Sequence, residues 1–255
     1  MRIATWNVNS LKVRLPHLLS WLASNAPDAI CLQETKTEDA TFPVADIQAA
    51  GYQLTFFGQK TYNGVAILSR TPAAEVVMGI PGFADEQKRV LAATVAEVRV
   101  ICVYVPNGES IDSDKYRYKL AWLEALERWL AQELKRYPRL ALLGDYNIAP
   151  EERDVHDPKL WEGKVLFSES ERAAFRRLQQ LGMRDSLRLF DQPDKTYSWW
   201  DYRMNAFKRN LGLRIDHILL SDELAPHCRA TSIHKDMRAL ERPSDHAPVV
   251  AELSC

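Results

Sequence analysis

Residues 139–150 read RLALLGDYNIAP, and this stretch decides how the chain is built. Leu140, Ala141, Leu142 and Leu143 form a short apolar run beside a glycine, the profile of a fully buried strand. The run then stops on Asp145 and Asn147. A carboxylate and an amide at the mouth of a buried strand cost free energy unless something satisfies them. Two questions follow: which layers cover the strand, and what meets the two polar residues.

Runs of the same kind recur along the chain: RIATW (2–6), AICLQ (29–33), GVAILS (64–69), VLAATVAEV (90–98), VRVICVYV (98–105), LRIDHILL (213–220) and PVVAEL (248–253). Their Val, Ile and Leu content fits buried strands. Between them lie stretches with a 3.6-residue apolar period. Residues 10–25 carry Leu11, Leu15, Leu18, Leu19 and Leu22, with Ser10 as a candidate cap. Residues 113–136 carry Tyr116, Leu120, Leu123, Leu130 and Leu134, end on Lys135 and Arg136, and meet Pro138 just beyond. Residues 168–181 open with Ser168 and Glu171, a capping box, and stop at Gly182. Strands alternate with helices early and late but follow one another directly in the middle. The pattern predicts an α/β fold with two packed mixed sheets flanked by helices, a four-layer sandwich. No repeat or linker divides the chain, so residues 1–255 read as a single domain.

At 255 residues, 46% hydrophobic and 26% charged, the chain can bury a sizeable core. No apolar run reaches membrane-spanning length, and MRIATWNVNS lacks the pattern of a signal peptide. Cys31, Cys102, Cys228 and Cys255 form no CxxC pair, which argues for reduced thiols in a cytosolic protein and against a structural zinc site. The net charge of −1 disfavours nucleic-acid binding through the overall field but leaves room for a local basic surface, or for metal ions among acidic residues.

Asp145 has company. RIATW runs into Asn7 and Asn9, and AICLQ into Glu34. VICVYV carries Tyr104 and reaches Asn107, LGLRI runs into Asp216, and Asp245–His246 precede the last strand. Taken singly, each reads as a turn, a cap or a strand tyrosine. Strand ends on one rim of a sheet share a crevice, so together they form a candidate site. The set has no serine elbow, no P-loop and no cysteine–histidine pair. Hard oxygen ligands without thiolates favour Mg²⁺ or Mn²⁺, and Mg²⁺ held by a carboxylate beside substrate phosphate is a phosphoryl or phosphodiester site.

In order along nearly the whole chain, WNVNSL (6–11), PDAICLQETK (27–36), VYVPNGE (103–109), LLGDYNIAP (142–150), NLGLRIDHILLS (210–221) and SDHAP (244–248) resemble the motifs of the exonuclease III and abasic-site endonuclease family, within the endonuclease/exonuclease/phosphatase superfamily. NLGLRIDHILLS fits the family pattern NxGxRxDxxLxS at every fixed position; DSLR (185–188) with TYSWW (196–200) fits a further motif in part. The resemblance implies a bacterial cytoplasmic DNA-repair nuclease, acting as a monomer on double-stranded DNA at 3′ ends, at abasic sites, or at both, and leaving a 3′-hydroxyl. It implies Mg²⁺, or Mn²⁺, on Glu34 with Asn7 and Asn9 alongside and Asp245 completing the metal side. Asp145 would deprotonate the attacking water and Asn147 would orient that water or the phosphate. Tyr104 and Asn107 would contact the phosphate, and His246, held by Asp216, would donate to a phosphate oxygen.

TYSWWDYRMNAFKRNLGLR (196–214) interleaves aromatics with basic residues. Under the resemblance Trp199, Leu213 and Ile215 line a pocket for an extruded abasic sugar, while Arg203, Lys208, Arg209 and Arg214 clamp phosphates. Gln87, Lys88 and Arg89 are either a solvated loop or a second DNA-contacting turn. Gly144 is expected to let backbone approach substrate, and Tyr146 to point into the core. Two rivals are a phosphatase or phosphodiesterase of the same superfamily acting on lipid head groups or nucleotides, and a non-catalytic nucleic-acid-binding module. The aromatic–basic stretch disfavours the first, and the presence of Glu34, Asp145 and His246 disfavours the second.

Overall fold

The computed structural model describes residues 1–254; Cys255, expected to be a buried thiol, lies outside the described residues. Twelve strands form two sheets of six. The strands are β1 (Arg2–Asn7), β2 (Ala29–Gln33), β3 (Gln53–Phe57), β4 (Val65–Ser69), β5 (Ala74–Met78), β6 (Val90–Val95), β7 (Val98–Tyr104), β8 (Leu140–Asp145), β9 (Met183–Asp185), β10 (Asp216–Ser221), β11 (Cys228–Ile233) and β12 (Val249–Leu253). One sheet runs β11-β12-β1-β2-β4-β3 and the other β5-β6-β7-β8-β10-β9. Each mixes one parallel pair, β1–β2 or β7–β8, with antiparallel neighbours.

The helices are α1 (Leu11–Asn25), α2 (Val44–Ala49), α3 (Asp114–Arg136), α4 (Pro158–Trp161) and α5 (Glu169–Gln180). Three apolar clusters define the layers. Ile3, Cys31, Ile67, Val100, Leu143, Ile218 and Val249 fill the space between the sheets. Leu18, Leu22 and Ile47 of α1 and α2 cover the first sheet at Trp6 and Leu32. Trp122, Leu126 and Trp129 of α3 and Phe175 of α5 cover the second at Leu142. Strand β8 therefore has apolar partners on both faces, as an uninterrupted apolar run requires. The four-layer α/β sandwich is the architecture expected.

Local details divide. Ser168 and Glu171 form the reciprocal capping box at α5, and Ser113 caps α3 by accepting from the Tyr116 amide. Ser10 does not cap α1: its φ is 86°, outside the extended region a capping residue occupies, and its hydroxyl makes no capping bond. The segment 213–215 is not strand but a connection that bridges Trp199 and Val155 before β10 begins. A Cβ on Gly144 would lie 1.9 Å from the Val103 carbonyl oxygen. The close approach shown is to the neighbouring strand. Tyr146 is buried, with its hydroxyl donating to the Leu142 carbonyl.

Candidate active site

Register places the polar strand ends side by side. In the second sheet Tyr104 lies opposite Asp145, and Asp145 opposite Asp216. In the first sheet Asn7 pairs with Gln33, the residue before Glu34. The two rims meet where Asn7 Nδ2 donates to Glu34 Oε1 at 2.9 Å and to Asp145 Oδ2 at 2.8 Å. One amide thus ties a carboxylate of each sheet to the other. Its own Oδ1 accepts from the Asn9 amide at 2.9 Å.

His246 stands between two carboxylates. Its Nδ1 is 3.1 and 2.9 Å from the two oxygens of Asp216, and its Nε2 is 3.7 Å from Asp145 Oδ2. Asp216 is held in turn by Ser198, whose hydroxyl donates to Oδ2 at 2.7 Å and accepts from the Ile215 and Asp216 amides. Burial opposes a charge on His246, but Asp216 and then Asp145 outweigh it, and its pKa is raised to about 10. Burial likewise pushes Asp145 up to about 7, against the pull of the His246 charge and with Asp216 adding to the rise. For Glu34 and Asp245 the balance tips the other way. Burial raises Glu34, but Lys36, 2.8 Å away, holds it below its ordinary value, and His246 does the same for Asp245.

Asn147 has a left-handed φ of 49°, and its backbone amide donates to Asp145 Oδ1 at 2.9 Å. Its side chain donates to the Val105 carbonyl and accepts from Asn107 Nδ2, each at 3.0 Å. Tyr104 has its hydroxyl against Glu34 and the Arg89 guanidinium 4.6 Å from its ring centroid. Burial, and then the negative charges of Glu34 and Asp145, raise its pKa well above the ordinary phenol value.

Glu34, Asp145 and His246 present ligand atoms within 4.8 Å of one another. Two hard carboxylates fit a divalent cation of the magnesium type. The other residues expected on the metal side make hydrogen bonds of their own. Asn9 has its Oδ1 bonded to Lys36 Nζ at 2.6 Å and its Nδ2 to Asp245 Oδ1 at 2.9 Å. Asp245 Oδ2 accepts from Trp199 Nε1 at 3.0 Å. Asn9 and Asp245 are therefore engaged with each other and their neighbours, and Asn7 links the two carboxylates.

The expected DNA-contacting residues divide by burial. Lys208 and Arg209 are exposed, as is Arg203, which pairs with Asp201 at 2.7 Å. Arg214 is not a phosphate clamp. It is 1% exposed and ion-paired with Asp154 at 2.6 Å and Asp185 at 2.8 Å, because a guanidinium inside the fold needs carboxylates to offset its desolvation. Leu213 and Ile215 are 0% and 1% exposed, packed with Ala149, Val155, Leu166 and Phe167; only Trp199 of the expected sugar pocket keeps an open face. Arg89 is buried and bonded to Gln87 Oε1, and Lys88 lies over Phe57, so that turn braces the rim instead of being simply solvated.

Two supporting groups escaped the sequence reading. Ser198 sits unremarked within TYSWW. Lys119 carries a signal that could have been read: a lysine inside the apolar stripe between Tyr116 and Leu123.

The Endonuclease/Exonuclease/phosphatase family model matches residues 4–246, and the chain belongs to that family. Exodeoxyribonuclease III of Haemophilus influenzae is 37% identical over 265 residues, covering 99% of each chain. A Neisseria 3′ phosphatase, solved with a product DNA hairpin, superposes with a TM-score of 0.98 at 49% identity over the whole of both chains. An AP endonuclease from Archaeoglobus fulgidus superposes with 0.96 at 40% identity, again over both whole chains.

Proposed function

We propose that this protein, a hydrolytic DNA-repair nuclease, cleaves by direct attack of water with Asp145 as the base. The observation that carries this is the position of Asp145, fixed by Asn7 and the Asn147 amide and facing the imidazole of His246. A buried carboxylate raised to about 7 is matched to accepting a proton near neutral pH. His246, kept protonated by Asp216, presents Nε2–H to the phosphate as charge accumulates there. Asn107 and Asn147 orient the phosphate and the water, with the Tyr104 hydroxyl on the same rim. Glu34 is the ligand for the cation, with Asp145 and His246 bordering it. A bound Mg²⁺, or Mn²⁺, supplies charge neutralisation on the phosphate and an acidified water.

The substrate is double-stranded DNA, engaged by Lys208 and Arg209 beside Trp199. Phosphodiesters at 3′ ends are favoured over internal abasic sites, because Leu213 and Ile215 are sealed under Leu166 and an extruded sugar would have to open that packing. Residues 1–255 act as one domain and as a monomer, since a single copy contributes every group of the site. The free thiols Cys31, Cys102 and Cys228 suit a reducing cytoplasm.

One gel tests the reading. A duplex with a single abasic analogue and a matched intact duplex with a recessed 3′ end are incubated with Mg²⁺ and wild type or Asp145→Asn. The variant is expected to bind both duplexes and to cleave at least about 10³-fold more slowly. Wild-type cleavage of the 3′ end should exceed that at the abasic site. Near-normal cleavage by Asp145→Asn would remove it as the base, and faster abasic cleavage would reverse the substrate order.

A further inference from the structure

Lys119 and Glu171 are 0% exposed and face each other beneath the active-site rim, far from any solvent that could hydrate either charge. Burying such a pair costs free energy unless each remaining donor and acceptor is satisfied. Here each is. Lys119 Nζ bonds Glu171 Oε1 and also donates to the Asn147 carbonyl at 2.7 Å and the Asn107 carbonyl at 3.0 Å. Glu171 accepts from the Leu166 and Ser168 amides at 3.0 Å each and from the Ser168 hydroxyl at 2.6 Å.

The two carbonyls belong to the two residues assigned above to the phosphate and the water. Asn107 lies on the loop after β7 and Asn147 on the loop after β8, and between their side chains there is one hydrogen bond of 3.0 Å. Val105, earlier on the first loop, also donates its amide to the Asp145 carbonyl and accepts from Asn147 Nδ2, but neither bond holds Asn107 itself. The ammonium closes a second link on the backbone side, so the pair of asparagines is held front and back. Asn147 needs this most: its φ is left-handed, and its amide is bonded to Asp145 Oδ1.

We propose that Lys119, braced by Glu171, is a positioning residue that sets the spacing of Asn107 and Asn147 through their backbone carbonyls without touching substrate. The inference rests on the role proposed above for Asn147. It explains why a charged pair is kept in a helix stripe where two apolar residues of similar volume would pack at no electrostatic cost. Apolar replacements would satisfy neither carbonyl.

The test is a kinetic cycle on a duplex with a recessed 3′ end. Lys119→Met/Glu171→Gln removes both charges together, so neither is left buried alone. Its kcat per folded molecule should fall about 10²-fold, the cost of misplacing reacting groups by about an ångström, with KM changing less than about threefold. In an Asn147→Ala background the same double replacement should change kcat little, because the group it positions is gone. If the double variant does not fold, Lys119→Gln, an uncharged donor too short to reach both carbonyls, carries the same cycle. Unchanged kcat in folded Lys119 variants, or losses that simply multiply with that of Asn147→Ala, would overturn the positioning role. Full activity of Asn147→Ala by itself would instead overturn the role assigned to Asn147.

Discussion

Asp216 holds the ring of His246 by both carboxylate oxygens, at 3.1 and 2.9 Å from Nδ1. The geometry fixes the ring plane, puts a proton on Nδ1 and favours the imidazolium. Replacing Asp216 with Asn keeps the shape and removes the charge. The largest of the influences raising the His246 pKa then disappears, and the pKa falls from about 10 toward the ordinary value. A group that must be protonated is lost as pH rises through its pKa, so the alkaline limb of the kcat–pH profile should move to lower pH. At neutral pH kcat should drop about 10²- to 10³-fold. An alkaline limb left where it is in wild type would show that His246 does not act as an acid.

Asn7 bridges Glu34 and Asp145 at 2.9 and 2.8 Å, so it would support a cation bound at those carboxylates. Losing a partner of that kind typically costs 10- to 100-fold in metal affinity or activity. Asn7→Ala should therefore raise the Mg²⁺ concentration for half-maximal cleavage by about that factor, and excess chelator should abolish wild-type cleavage. A magnesium titration of cleavage rate decides it; an unchanged midpoint would contradict the bridging role.

Arg214 and the pair Lys208 and Arg209 should separate cleanly in experiment. Breaking a buried ion pair at one partner costs about 3–5 kcal/mol. Arg214→Met, which strands Asp185 and leaves Asp154 with Arg188 as its remaining cation, should lower unfolding free energy by about that much in urea while leaving the salt dependence of DNA binding unaltered. Lys208→Ala and Arg209→Ala should leave stability within about 0.5 kcal/mol and each reduce the slope of log K against log salt by about one. The opposite assignment of effects would restore Arg214 as a phosphate contact.

His217 is buried with two defined partners: Nδ1 faces Arg214 Nη1 at 3.0 Å and Nε2 faces the Ile148 carbonyl at 2.9 Å. Arg214 can only donate, so Nδ1 accepts and the ring is neutral. Burial, then the Arg214 charge, hold its pKa well below the ordinary value. In the unfolded chain it titrates near about 6.5. As pH falls the unfolded state takes up the proton first, so stability is intact above about pH 6.5 and declines below it toward the folded-state value. Thermal denaturation between pH 7.5 and about 5 should show a smaller fall in Tm for His217→Gln than for wild type. Equal falls would mean that His217 is not an acid-sensitive point.

Much of this was legible along the chain. β8, β7, β1, β2 and β4 could be read directly because they are central strands, covered on both faces and therefore written as apolar runs. The strands that were not read, β3, β5, β9 and β11, are the four sheet edges. Edge strands have one open side and fewer buried positions, so the apolar run that marks a central strand is missing from them. The site was legible for a related reason: polar residues that end buried strands must be there for something, and Glu34, Asp145, Asp216 and His246 do converge.

The sequence by itself determined the layering, the capping box at Ser168 and Glu171, and which strand ends carry polar groups. Those depend on local periodicity and on residue type, which a linear chain displays. Only the tertiary structure decided whether a given charge serves the surface or the interior. Arg214 looks like Lys208 on paper and Lys119 differs only by its place in an apolar stripe, but their surroundings come from segments as distant as Asp154 and Glu171. The burial that raises Asp145 and lowers His217, and the approach of Asp216 that raises His246, likewise arise only when the layers close over them.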